Sequence, residues 1–370
     1  MKTIAIPILS IALISLAYAQ GRPAAVEALD GVDPVLLVQG KEVSGKPDLK
    51  VVRGGFEYSF ASADTKATFE KDPAKYEIQL NGLCARMGKA TGGRPSDFLV
   101  HDGRIYIFGS DECHKKFASE PAKYLPPAPV PMPRSSRATA DGRALIERTV
   151  KAIGGAARVD PIATYVETSS RIQKRPTGDV PVTIKTMWRF PDAVRMERSA
   201  TVMGKPMSSA TLMTPAGMWY LSQGHAYEAA AAGRPSMELD FGRKIVPLLH
   251  ARRSAGFKAA ALGAGTVEGT AVERVRVVKG GVDVTLGIDP SSGRIHSISF
   301  IDRNQADGQY GEYTVLYSDY RPVEGLVLPF SERVSFNGVR DEVLTQTIDA
   351  IAINPALDRA LFEPGTAGGQ

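Results

Sequence analysis

Residues 33–76 recur at 81–124, offset by 48 positions without a gap. Gly55, Tyr58, Phe60, Ser62, Phe69 and Pro73-Ala74-Lys75-Tyr76 return as Gly103, Tyr106, Phe108, Ser110, Phe117 and Pro121-Ala122-Lys123-Tyr124. A match of this kind means one supersecondary unit used twice, so about a hundred residues must fold as a tandem pair. The copies differ at one telling pair of positions. Leu36 and Thr65 in the first stand where the second has Cys84 and Cys113, the only cysteines of the chain. A reactive or metal-binding site in this region is therefore expected in the second copy.

Within each copy, alternation in Phe56-Glu57-Tyr58-Ser59-Phe60 predicts a half-buried strand, and Ile105-Tyr106-Ile107-Phe108 a more central one. Ser62 and Ser110 are placed to cap helices that Pro73 and Pro121 close. Cys113 then falls near the third residue of its helix, where exposed N–H groups favour a thiolate, while Asp111 and Glu112 oppose it. His114 adjoins it, and Met87 follows Cys84 closely. Two thiolates with a thioether or imidazole suit a soft ion, copper or zinc. A Cys84–Cys113 disulfide is the ordinary outcome in an oxidising compartment, and two unpaired thiols are the third alternative.

The N-terminus reads as a secretory signal: Lys2, an apolar run Ile4 to Leu16, and Ala17-Tyr18-Ala19 before Gln20. Cleavage near Ala19 would leave a periplasmic or secreted protein, and no later stretch reaches the roughly 20 apolar residues of a membrane span. Such a compartment and the lack of a basic run interleaved with aromatics argue against nucleic acid, despite a net charge of +5. The expected domains are the repeats at 25–124, a Pro-rich linker at 125–140 built on Leu125-Pro126-Pro127-Ala128-Pro129, and a second domain at 141–366.

That second domain opens with a helix ended by Gly154-Gly155. Eleven strand-like segments follow between Thr164 and Ile353, separated by turns such as Gly280-Gly281 and Asn337-Gly338 and interrupted by an apolar helix-like stretch, Phe241–Arg252. The expected class is α+β: small repeats, then an antiparallel half-barrel sheet wrapped on helices. Its strands are rich in Met and Trp. Met187, Trp188, Met196, Met213 and Trp219 either form plain core or line a surface for an apolar ligand. No Gly-x-Ser-x-Gly elbow, P-loop, dinucleotide fingerprint or HExxH pair occurs, so no catalytic residue is named.

Two resemblances follow from these residues. The repeats resemble the YHS domain, related to the cysteine-rich TRASH type: Asp33-Pro34-Val35 matches its opening, and Tyr106-Ile107-Phe108-Gly109-Ser110-Asp111-Glu112-Cys113 its ending. Gly109 stands where many members have another cysteine. This resemblance implies a metal, thiol or partner-binding module. The second domain looks like the half-barrel of LolA/LolB-type lipoprotein carriers, through Gly154-Gly155, the Asp289-Pro290-Ser291-Ser292-Gly293 hairpin, Tyr317-Ser318-Asp319-Tyr320-Arg321 and the tail from Ile353 to Phe362. It implies an exported, non-enzymatic binding protein holding a lipid or other apolar molecule. The alternative is a structural or interaction component of a cell-envelope assembly.

Overall fold

The computed structural model describes residues 25–365, apart from 129, 175–177, 223, 230–233 and 305. The signal segment lies outside them. Two compact units emerge: Met1–Pro127 with Arg303–Tyr310, and Ala128–Asp302 with Gly311–Gln370. The short segment 303–310 groups with the first unit although it lies deep in the second half of the sequence, which no local pattern announces.

The first unit contains strands β1 (Val26–Glu27), β2 (Lys46–Arg53), β3 (Phe56–Phe60), β4 (Leu83–Cys84), β5 (Gly88–Gly92), β6 (Arg94–His101) and β7 (Arg104–Phe108). Its helices are α1 (Pro34–Val38), α2 (Ala63–Lys71), α3 (Pro73–Tyr76), α4 (Asp111–Ser119) and α5 (Pro121–Tyr124). β2, β3, α2 and α3 recur as β6, β7, α4 and α5 with the sequence offset intact. The packing recurs too. Phe69 lies 5.0 Å from Tyr58 and 5.2 Å from Phe60, ring centre to ring centre; Phe117 lies 5.3 Å from Tyr106 and 5.2 Å from Phe108.

The copies part most clearly at the segment that carries Cys84. Asp33, fully buried, accepts hydrogen bonds from the backbone N–H of Val35 (2.9 Å), Leu36 (3.2 Å) and Ala61 (2.8 Å), and Pro34 opens α1. At the matching position the second copy has Asn81, in the left-handed region at φ 53°, followed by Gly82 at φ 78°. No side chain caps a helix there, and the chain runs out as β4, pairing Cys84 in parallel with Ile107 of β7.

The second unit begins with α6 (Ser136–Ala152) and α7 (Ala156–Val159). Next come β8 (Thr164–Gln173), β9 (Val180–Arg189), β10 (Ala193–Val202), β11 (Lys205–Thr214), β12 (Gly217–Ser222) and β13 (His225–Glu228). Helices α8 (Arg234–Gly242) and α9 (Ile245–His250) interrupt the strands. The chain resumes with β14 (Lys258–Val267), β15 (Thr270–Lys279), β16 (Val282–Ile288), β17 (Ile295–Arg303), β18 (Tyr310–Val323), β19 (Leu326–Phe336) and β20 (Val339–Ile353). All thirteen form one open sheet in the order β13-β12-β11-β10-β9-β8-β20-β19-β18-β17-β16-β15-β14. The pairings are antiparallel, and the last strand closes against the first, Ile351 opposite Glu167. The expected α+β class with a large antiparallel sheet is what forms.

β13 and β14 are strands that alternation did not predict. β14 reads Lys258-Ala259-Ala260-Ala261-Leu262-Gly263, with no polar–apolar period. Its small residues admit α6. A Cβ on Gly142 would lie 2.6 Å from the Ala260 Cα, so helix and strand touch backbone to backbone. The main core lies between helices and sheet, with Ile146, Val150, Val246, Leu248 and Leu249 against Tyr165, Trp188, Val275, Leu286 and Ile298.

Candidate functional site

Cys84 and Cys113 come together in the first unit. Both thiols are free and buried, Cys84 completely. They belong to one cluster with Ala85, Tyr106, Phe108, Phe117 and Tyr124, against which Met87 packs. The geometry follows from the helix cap. In α2, Ser62 and Thr65 form a reciprocal capping box, the Thr65 hydroxyl accepting from the Ser62 N–H. In α4, Ser110 still accepts from the Cys113 N–H at 3.3 Å, but a thiol is a poor return acceptor. The Cys113 side chain turns instead to Cys84 and to Arg86, whose Nη1 lies 3.8 Å from the sulfur.

Burial pushes the Cys113 thiol up, and hydrogen bonds with Ser110, Arg86 and Cys84 more than offset it, so its pKa lies below the ordinary 9.0. His114 goes elsewhere. Its Nδ1 is 2.5 Å from Asp97, and its ring stacks on Phe108 with centres 4.6 Å apart. Among the described residues no group of three or more His, Cys, Asp or Glu side chains is placed to hold a metal ion. Two adjacent thiols and a nearby thioether fit a soft ion; the imidazole is committed to Asp97.

The five residues named for an apolar ligand divide between two faces. Trp188 and Met213 are buried in the core under the helices, and Met196 packs at its margin. Met187 lies on the opposite face with Leu212 and Phe362, and Trp219 packs there too. They cannot form one lining, because consecutive residues of a strand point to opposite sides of the sheet. Under the helices lies a pocket of about 10 Å³ bounded by Tyr165, Glu167, Lys244, Tyr317 and Glu332.

Sequence reasoning did not find that polar cluster. Lys244, between α8 and α9, donates to Glu332 (2.7 and 2.8 Å) and Glu167 (3.1 Å) on the sheet. The carboxylate side chains are 7% and 6% exposed, that of Lys244 24%. Desolvation lowers the ammonium pKa, but the two carboxylates outweigh it and hold Lys244 above its usual range. Burial raises Glu167 above 4.5 in spite of Lys244. The three come from two strands and the link between α8 and α9, about 80 residues apart, a spacing that leaves no motif.

Among solved structures, the chain is similar to a "putative outer membrane lipoprotein-sorting protein domain" from Vibrio parahaemolyticus, at 10% identity, TM-score 0.37, over 60% of this chain and 97% of that one. It is also similar to a DUF1329 family protein from Desulfovibrio piger (13%, TM-score 0.39) and a LolA superfamily protein from Nitrosomonas europaea (10%, TM-score 0.39), each over 60% of this chain and 97% of theirs. No protein-family profile matches the sequence, and no curated protein does. With TM-scores this low the matches stand as likenesses only; the open antiparallel sheet is established by its own strand pairing.

Proposed function

We propose that the chain is an exported binding protein whose second unit takes an apolar ligand bearing a carbonyl or ester oxygen between α8–α9 and the sheet. One observation carries this reading. Trp188 is 4% exposed, and its indole N–H has no acceptor among the described residues. A buried donor left unpaired costs about 1–3 kcal/mol, and an acyl oxygen beside it would supply the missing partner. Met196 and Met213 on the same face are adaptable enough to reshape around an acyl chain. Room is made by displacing α8–α9, a segment whose polar anchorage to the sheet includes Lys244 on Glu167 and Glu332.

The thiol pair adds a second capacity, a soft cation held by Cys84 and Cys113 with Met87 as third donor. Solvent extraction of purified protein with mass spectrometry, and titration with palmitate while following Trp emission, test the first part. Co-purifying lipid, and an emission change lost in Trp188→Phe, support it; no lipid and no response to palmitate overturn it. Thiol alkylation before and after reduction, with metal analysis, tests the second. Free thiols with stoichiometric copper or zinc support it, and a mass lower by two hydrogens without metal assigns a disulfide instead.

A further inference from the structure

The sheet face opposite the helices carries a polar chamber in its second half. The β14–β15 hairpin has a register shift between Ala261 and Gly263, with Gly263 at φ 83°. A bulge bends the strand that carries it. The hairpin tip turns on Glu268 and Gly269, at φ 45° and 82°. There Glu268 bonds Arg333 at 2.5 Å and Ser335 at 3.4 Å, both on β19, four strands beyond β15. The arch encloses a pocket of about 390 Å³.

Its floor is a row of hydroxyls, one per strand. Thr285 of β16 lies opposite Ser299 of β17, Ser299 bonds Thr314 of β18 at 2.9 Å, and Thr314 lies opposite Ser335 of β19. A filled core would have apolar side chains at these positions, as the other face of the same strands does with Leu286, Ile298 and Val315. Among the described residues, two lining groups have no partner. The Ser297 hydroxyl is buried without a hydrogen bond in a residue 1% exposed, and the Arg274 Nε is buried without one. Two glycines leave space for them. A Cβ on Gly287 would lie 2.4 Å from the Ser297 Oγ, and one on Gly265 2.7 Å from the Arg274 Nε.

We infer that this chamber is a binding site for a small hydroxylated organic anion, its carboxylate or phosphate on Arg274 and Ser297 and its hydroxyls on the Ser/Thr row. Serine and threonine hydroxyls both donate and accept, as a polyol requires, and a guanidinium is the natural partner of an oxyanion. Glu268 is neutralised by Arg333, and the exposed Glu312 at the pocket wall can accept from ligand hydroxyls. The site is separate from the helix-covered face and does not depend on the ligand proposed there.

Calorimetric titration of the full exported chain tests it with glucuronate, glycerol 3-phosphate and vesicles containing phosphatidylglycerol, and with glucose as the neutral control. Saturable binding of glucuronate or glycerol 3-phosphate, at least tenfold tighter than glucose, is expected. Binding of the vesicles as well assigns the lipid headgroup as the source; binding of the soluble anions alone assigns a free metabolite. Arg274→Gln should weaken anion binding at least tenfold and Ser297→Ala about threefold, with the thermal midpoint unmoved. Should Arg274→Gln not fold, Thr314→Val still tests the row and should weaken binding severalfold. Absence of binding by every anion, equal binding of glucose, or unchanged affinity in folded Arg274→Gln and Thr314→Val would overturn the assignment.

Discussion

Replacing Lys244 with Met isolates the polar link between α8–α9 and the sheet. The substitution keeps the aliphatic stem and deletes the charge, leaving Glu167 and Glu332 buried at 7% and 6% side-chain exposure without their cation. Removing one partner of a buried pair costs about 3–5 kcal/mol, and the partial exposure of Lys244 places this case near 3 kcal/mol. For a unit of this size each kcal/mol moves the thermal midpoint by about 2–4 °C, so a drop of roughly 6–12 °C is expected. The assay is urea unfolding followed by Trp emission, which reports the second unit because both tryptophans, Trp188 and Trp219, lie in it.

The pH dependence gives a second handle. Burial already holds Glu167 above 4.5 in the native protein, and without Lys244 it rises further. The folded variant then binds a proton that the unfolded chain releases, so its stability is greatest below about pH 4.5 and is lost as pH rises through the folded value. The gap between variant and wild type should therefore shrink on acidification by up to about 1.4 kcal/mol per pH unit for each proton bound. Lys244→Met combined with Glu167→Gln and Glu332→Gln should recover most of the loss, because neutral groups carry a far smaller desolvation penalty. A cost under about 1 kcal/mol, or a deficit that does not change with pH, would refute the electrostatic account.

In the first unit, Arg86→Gln should raise the Cys113 pKa by removing the guanidinium beside the sulfur, read from thiolate absorbance against pH. Because the folded thiol titrates below the unfolded value of 9.0, wild-type stability should rise with pH across that interval, and less so in the variant. Asp33→Ala leaves three backbone N–H groups without their acceptor and should cost about 3 kcal/mol, measured as earlier exposure of the buried Cys84 and Cys113 to alkylation in urea. Phe362→Ala, at 4% exposure on the face away from the helices, should cost about 3 kcal/mol and change the emission of the neighbouring Trp219.

The sequence alone determined what short-range physics controls. A repeated string of residues forms the same strands and helices with the same offset, because caps such as Ser62 and Ser110 and stops such as Pro73 and Pro121 act within a few residues. The end of α6 at Gly154-Gly155 and the strands flanking Gly280-Gly281 and Asn337-Gly338 follow for the same reason. Tertiary structure decided whatever depends on which side of the sheet a residue faces and which distant strand it meets. Met187 and Trp188 are neighbours in sequence and lie on opposite faces; β14 is a strand through its ladder with β15, and Gly142 lets α6 pack closely on it. Lys244, Glu167 and Glu332 converge from separate elements, and Glu268 at the tip of a bulged hairpin meets Arg333 on a distant strand. Burial and long-range pairing set those energies, and a linear string records neither until the sheet has closed β20 on β8.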